Sequence, residues 1–124
     1  MKHLESSIKS GVTRDYMLEV HDFARHLSEG VTTTQLRKFF GGLKKLKVMA
    51  NTKGFDSVAS EFYMLDARLA YHVGKADKKN KEQMEKFYDG FKNGFQVVSS
   101  KEELNNFIDC MEAFVAFHKK NGGK

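Results

Sequence analysis

A chain of 124 residues, 40% hydrophobic and 30% charged, is long enough to bury one self-sufficient core, so a single domain over residues 1–124 is expected. Its one cysteine excludes an internal disulfide framework, and no apolar run approaches the roughly twenty residues of a membrane span. The net charge of +5 is concentrated: residues 31–55 carry six Lys/Arg and no carboxylate, whereas the remainder holds fifteen Lys/Arg against sixteen Asp/Glu.

The chain contains no proline, which removes the strongest helix breaker and points to an all-α fold, a compact single-domain bundle of about five helices. Met1 to Ser10 has only a weak apolar period, and residues 1–10 and 119–124 are expected to be loosely ordered. Thr13 is placed to cap a helix running to about Ser28, with Tyr16, Val20, Phe23, Ala24 and Leu27 on its inner side. The basic segment follows. Thr32 and Gln35 have capping-box spacing, Gly54 supplies a stop, and Leu36, Phe39, Leu43, Leu46 and Ala50 fall on one arc. Arg37, Lys38, Lys44 and Lys45 share another arc. A merely solvated helix face would interleave Glu with Lys at i,i+4, and here no acid is present.

After Gly54, Asp56 is expected to cap a helix with Ala59, Phe62, Leu65, Leu69 and Val73 on its inner face, ending near Gly74. Lys75 to Lys81 reads as a polar basic loop, with Asn80 capping a helix to about Val98. That helix has a stripe of Met84, Phe87, Phe91, Phe95 and Val98, flanked by Gly90 and Gly94 at the spacing of a close helix approach. Gly41 and Gly42 in the basic helix suggest the same, or for Gly41 a close approach by backbone phosphate. Ser100 and Glu103 form a second capping-box pair, opening a helix with a broad apolar face through Phe117.

Catalytic chemistry has little support. His21 and His26 are five positions apart and miss the i,i+4 alignment of a helical metal pair, and no HExxH accompanies them. Glu82, Glu85, Glu102 and Glu103 lie at helix starts, where carboxylates meet the positive end of the macrodipole. Cys110 falls in an apolar pattern and reads as a small buried hydrophobe. Neither a catalytic set, a cofactor nor a metal is expected. Binding fares better: Lys and Arg on one face can replace the counterions of a nucleic acid's phosphates, a term independent of sequence. Lys44, Lys45 and Lys47 enter this surface from the helical wheel. Arg68 serves either such a surface or an ion pair near Asp66 or with another helix.

The stretches TTTQLRKFF, at Thr32 to Phe40, and LDARLAYHVGK, at Leu65 to Lys75, resemble the two most characteristic segments of the small subunit of the type III-A CRISPR effector, the Csm complex. Gln35, Arg37 and Lys38 match the first motif, and Arg68, Tyr71 and Lys75 the second. The resemblance implies a non-catalytic RNA-binding subunit present in several copies along the guide RNA, and the lack of any signal-peptide-like or membrane-spanning apolar run points to the cytoplasm. Its implied partners are guide RNA and target RNA, neighbouring copies, the backbone repeat subunit and the large signature subunit, with no membrane. The competing reading is a helical protein-interaction module whose basic face docks an acidic protein.

Overall fold

The computed structural model describes residues 1–123, and all regular structure among them is helical. The helices are α1 (Leu4–Ser10), α2 (Arg14–His26), α3 (Thr33–Lys53), α4 (Ala59–Lys75), α5 (Lys78–Phe91), α6 (Gly94–Val97) and α7 (Lys101–Lys120), with a 3₁₀ turn at Phe55–Ser57. The expectation of five is therefore low by one. Six helices have seven or more residues, and α6 is a single turn. None of the described helices is long and apolar enough to cross a membrane.

α7 lies at the centre, packed against α1, α2 and α3. It buries Leu104, Phe107, Ile108, Cys110, Met111, Phe114 and His118, a face too broad for one neighbour. Phenylalanines fill the space between α7 and the remaining helices. Phe62 meets Phe95 and Phe107 at centroid separations of 5.2 and 5.9 Å, and Phe87 meets Phe114 at 5.0 Å. Leu43, Leu69, Phe91 and Phe107 are all buried, as the periodicity of their helices requires.

Several local details depart from the sequence reading. The first residues carry a helix where the sequence shows only a weak period: α1 buries Leu4 and Ile8, and the Glu19 carboxylate of α2 accepts hydrogen bonds from the backbone N–H groups of Lys2 (2.7 Å) and His3 (2.9 Å). A carboxylate from another helix thus caps α1, which no local pattern reveals. The far end also makes internal contacts. α7 continues to Lys120, Gly123 is buried, and its carbonyl accepts a 3.3 Å hydrogen bond from the Thr33 hydroxyl; Lys124 lies outside the described residues.

Asp56 sits inside the 3₁₀ turn and does not cap α4, which starts after Val58 without a side-chain cap. Lys78 to Lys81 is not a loop but the first turn of α5, with Asp77 at its N-cap position in place of Asn80. The helix expected to reach Val98 breaks at Lys92 and Asn93. Asn and Gly are weak helix formers, so the Asn93-Gly94 pair gives way there, and Gly94 lies where any Cβ would strike the Phe107 ring. Gly90 does the same for Phe23, so the close-approach reading holds for both. At the second capping box, Ser100 accepts from the Glu103 N–H at 3.2 Å, but the Glu103 carboxylate bonds the N–H and hydroxyl of Ser99 rather than returning to Ser100.

His118 is buried at 1% exposure and donates its Nε2 proton to the carbonyl of Val31, directly ahead of the α3 cap. Burial holds its pKa below the ordinary histidine value, the bond to Val31 opposing that shift and Lys119 adding to it. The unfolded chain takes up a proton near pH 6.5, before the folded one does. Stability should accordingly be full above about pH 6.5 and fall as the pH drops from there through the folded-state value. Thermal melts between about pH 7.5 and 5.5 should show this decline, and His118→Gln should flatten it even if its melting point is lower throughout. An equal slope in both proteins would place the titration elsewhere.

Candidate nucleic-acid interface

The candidate interface begins at the first turn of α3. The Thr32 side chain accepts from the Gln35 N–H at 3.2 Å, and the Gln35 side-chain oxygen accepts from the Thr32 N–H at 3.0 Å, completing the capping box. That use makes Gln35 a determinant of where the helix starts. α7 fixes the same place from behind, through His118 on Val31, and the C-terminal residues reach it through Gly123 and Thr33. At the opposite end of α3, Asn51 accepts a 3.2 Å hydrogen bond from Asn105, early in α7. α3 is therefore held at both ends along an antiparallel α7.

Leu36, Leu43, Leu46 and Ala50 are buried on the inner face of α3. Arg37, Lys38, Lys44 and Lys45 are exposed, whereas Lys47 is only partly so. Among the described residues none of the six α3 cations takes part in an ion pair; the Lys44 Nζ lies 5.3 Å from the Phe40 ring centroid. Cations left without counter-charges on a protein surface retain their full field for an external anion.

α4 brings the second motif alongside. Arg68, His72 and Lys75 recur at four- and three-residue steps, so they lie on one stripe. Between this stripe, the start of α3 and the start of α5 lies a cleft of about 480 Å³. Gln35 and Lys38 line it from α3 and Arg68, His72 and Lys75 from α4, over a floor that includes Phe39, Leu65, Leu69 and Met84. The α4–α5 wall is fixed by the Tyr88 hydroxyl, which donates to the Asp66 carboxylate at 2.7 Å. That bond pushes the Tyr88 pKa up to about 12.

Four of the nine site residues expected from the sequence thus converge: Gln35, Lys38, Arg68 and Lys75. Arg37, Lys44, Lys45 and Lys47 do not line the cleft; they continue the basic face away from it along α3. Tyr71 is 64% exposed outside the cleft, with the Lys75 ammonium 5.7 Å from its ring centroid. Arg68 does make an ion pair, at 3.4 Å, but with Glu61 of its own helix and not near Asp66. Both partners are more than half exposed, so the pair is weak and open to exchange. Among the polar lining residues that sequence reasoning did not place at the site are His72 and Asn80. His72 was within reach, being four after Arg68 and three before Lys75, whereas Asn80 enters only through the packing of α5.

Gly41 and Gly42 do not mark a close helix contact. A Cβ at Gly41 would meet nothing within 4 Å, and one at Gly42 would meet only the Leu65 side chain at an ordinary 3.5 Å. Among the described residues no group of three or more His, Cys, Asp or Glu side chains is placed to hold a metal ion. Cys110 is buried in the core, and burial pushes its pKa up to about 12, away from any thiolate chemistry at neutral pH.

These features define a small helical protein with an unpaired basic face running into a cation-rimmed cleft. The family model described as Csm2 Type III-A matches residues 12–124, and the chain belongs to that family. The family is the non-catalytic small subunit of the type III-A CRISPR effector, the Csm complex. No curated protein and no solved structure matches the chain.

The open surroundings of Gly41 make Gly41→Ala a test of the exposed face. A helix-interior glycine costs about 1 kcal/mol relative to alanine, so the variant should melt about 4 °C higher. A lower melting point would mean that this face packs against something in the protein.

Proposed function

We propose that this chain binds the phosphate backbone of RNA through the α3 face, as one of several copies along the guide RNA, and helps to hold target RNA in the channel of the effector. The observation that carries this reading is the set of unpaired cations on α3, extended across the cleft by Lys38, Arg68 and Lys75. Phosphates replace counterions at such a surface without reading bases, which suits a subunit that must accept any guide sequence. Gln35 supports the interface by fixing the first turn of α3, and Tyr71 offers an exposed ring beside Lys75. The subunit performs no cleavage itself and works in the cytoplasm beside the backbone repeat subunit and the large signature subunit.

The alternative is docking of an acidic protein without nucleic acid, and one observation favours it. Val48 (67% exposed) and Met49 (46%) stand among the α3 cations, and Tyr63 and Met64 on α4 are about half exposed. A strand needs only charge, whereas exposed apolar side chains suit a protein contact. Contact with neighbouring copies or other subunits through these residues is compatible with a strand on Arg37, Lys44 and Lys45.

The triple variant Arg37→Ala, Lys44→Ala, Lys45→Ala separates the two. All three positions are exposed, so each change should alter stability by about 0.5 kcal/mol or less. In the assembled complex, target-RNA affinity should fall for all sequences alike. At roughly −0.7 in salt slope per phosphate, losing three contacts should flatten the log–log salt dependence by about 2 units. Lys119→Ala with Lys120→Ala, at the end of α7, should leave the slope unchanged. A triple variant that assembles normally and keeps the parent's salt dependence favours the protein-docking alternative.

A further inference from the structure

The phosphate-binding reading uses the cations of the cleft but not the cleft itself. A flat row of lysines is sufficient to hold a backbone, yet behind Lys38, Arg68 and Lys75 the surface opens into a space of about 480 Å³. That volume lies within the range of about 300–1,000 Å³ typical of small-ligand pockets. Its floor is apolar, and the half-buried Phe39 lies within it. His72 and Asn80 supply polar groups in the lining.

We propose that this cleft seats one nucleobase, unstacked from the bound strand, with the phosphates flanking that nucleotide held by Lys38, Arg68 and Lys75. The inference rests on the reading that a strand follows α3. Charge complementarity selects the occupant: the lining carries Lys38, Arg68 and Lys75 against Asp77, and the Glu61 partner of Arg68 is exposed and open to exchange, so the cleft favours a ligand that brings negative charge together with an apolar, planar body. Continuity selects a nucleotide over an acidic peptide. Lys38 belongs both to the cleft and to the acid-free α3 face, so one phosphate track leads directly into the space where a base would leave the stack. Every base has a π-face and an apolar ring, and a seat of this kind tolerates any sequence. The cost of unstacking is smallest for a base that is not paired, which restricts the seat to unpaired positions of the strand.

The test is amide NMR of the full chain titrated separately with adenosine monophosphate, inorganic phosphate, an N-acetylated Asp-Phe dipeptide and a short single-stranded RNA. Adenosine monophosphate should shift the signals of Phe39, Leu65, Leu69 and Ala76 saturably, whereas phosphate alone should leave these wall residues in place. Thr34→Trp, an exposed substitution at the cleft lining, should abolish the nucleotide shifts while preserving the fold, and Arg68→Ala should weaken them. The proposal is overturned if phosphate reproduces the nucleotide's shifts, if the nucleotide moves none of the wall, or if the dipeptide occupies the cleft and the nucleotide does not. The RNA arm separates this inference from the reading beneath it. Shifts at Arg37, Lys44 and Lys45 without shifts in the cleft wall would remove the base seat alone, and no shifts at either place would remove both.

Discussion

The structure depends on the burial of α7 against α1, α2 and α3 together. Its apolar face includes three side chains of the aromatic core or its margin, Phe107, Phe114 and His118, and each bonds or packs to a different neighbour. The Tyr16 hydroxyl of α2 donates to the Cys110 carbonyl at 2.8 Å, and Asn106 donates to the Ile8 carbonyl of α1 at the same distance. Polar groups buried or partly buried in this way cost more to orphan than the bonds contribute, so they fix the register of the helices and not only their association. For α3 the register decides which side chains face solvent. His118 and Asn105 hold its two ends, and the inner arc from Leu36 to Ala50 then leaves Arg37, Lys44 and Lys45 no direction but outward.

The electrostatics follow from that placement. Outside residues 31–55 the chain is balanced within one charge, and its visible ion pairs, such as Lys9 with Glu103 and Lys86 with Glu82, lie on other helices. A helix carrying six cations and no acid forgoes the small i,i+4 support that glutamates would give it. It is compensated by the capping box at its start and by burial of four apolar side chains. The field of α3 thus stays uncompensated at little cost to folding, in a chain whose family belongs to an RNA-guided effector.

Much of this was legible in the sequence, for physical reasons that particular residues illustrate. Thr32 and Gln35 act on backbone groups three residues away, and Leu43 is placed by helical period alone, so local patterns sufficed for both. α1 escaped because its cap, Glu19, lies on another helix. The start of α5 escaped because Asn80 is as good a cap by type as Asp77. The cleft was half legible. Lys38, Arg68 and Lys75 stand in the two motifs, but their convergence requires the α3–α4–α5 packing, and the Glu61 partner of Arg68 lies seven residues away where i,i+4 reasoning does not look.

The proposed path of RNA, along the α3 face and in at the cleft, is tested most directly by ultraviolet cross-linking of the assembled effector on its target RNA, followed by mass spectrometric mapping of this subunit. Cross-links should fall on α3 between Arg37 and Lys45 and on Phe39, Arg68, Tyr71 and His72. Cross-links confined to the outer faces of α2 and α7, with none on α3 or α4, would contradict it.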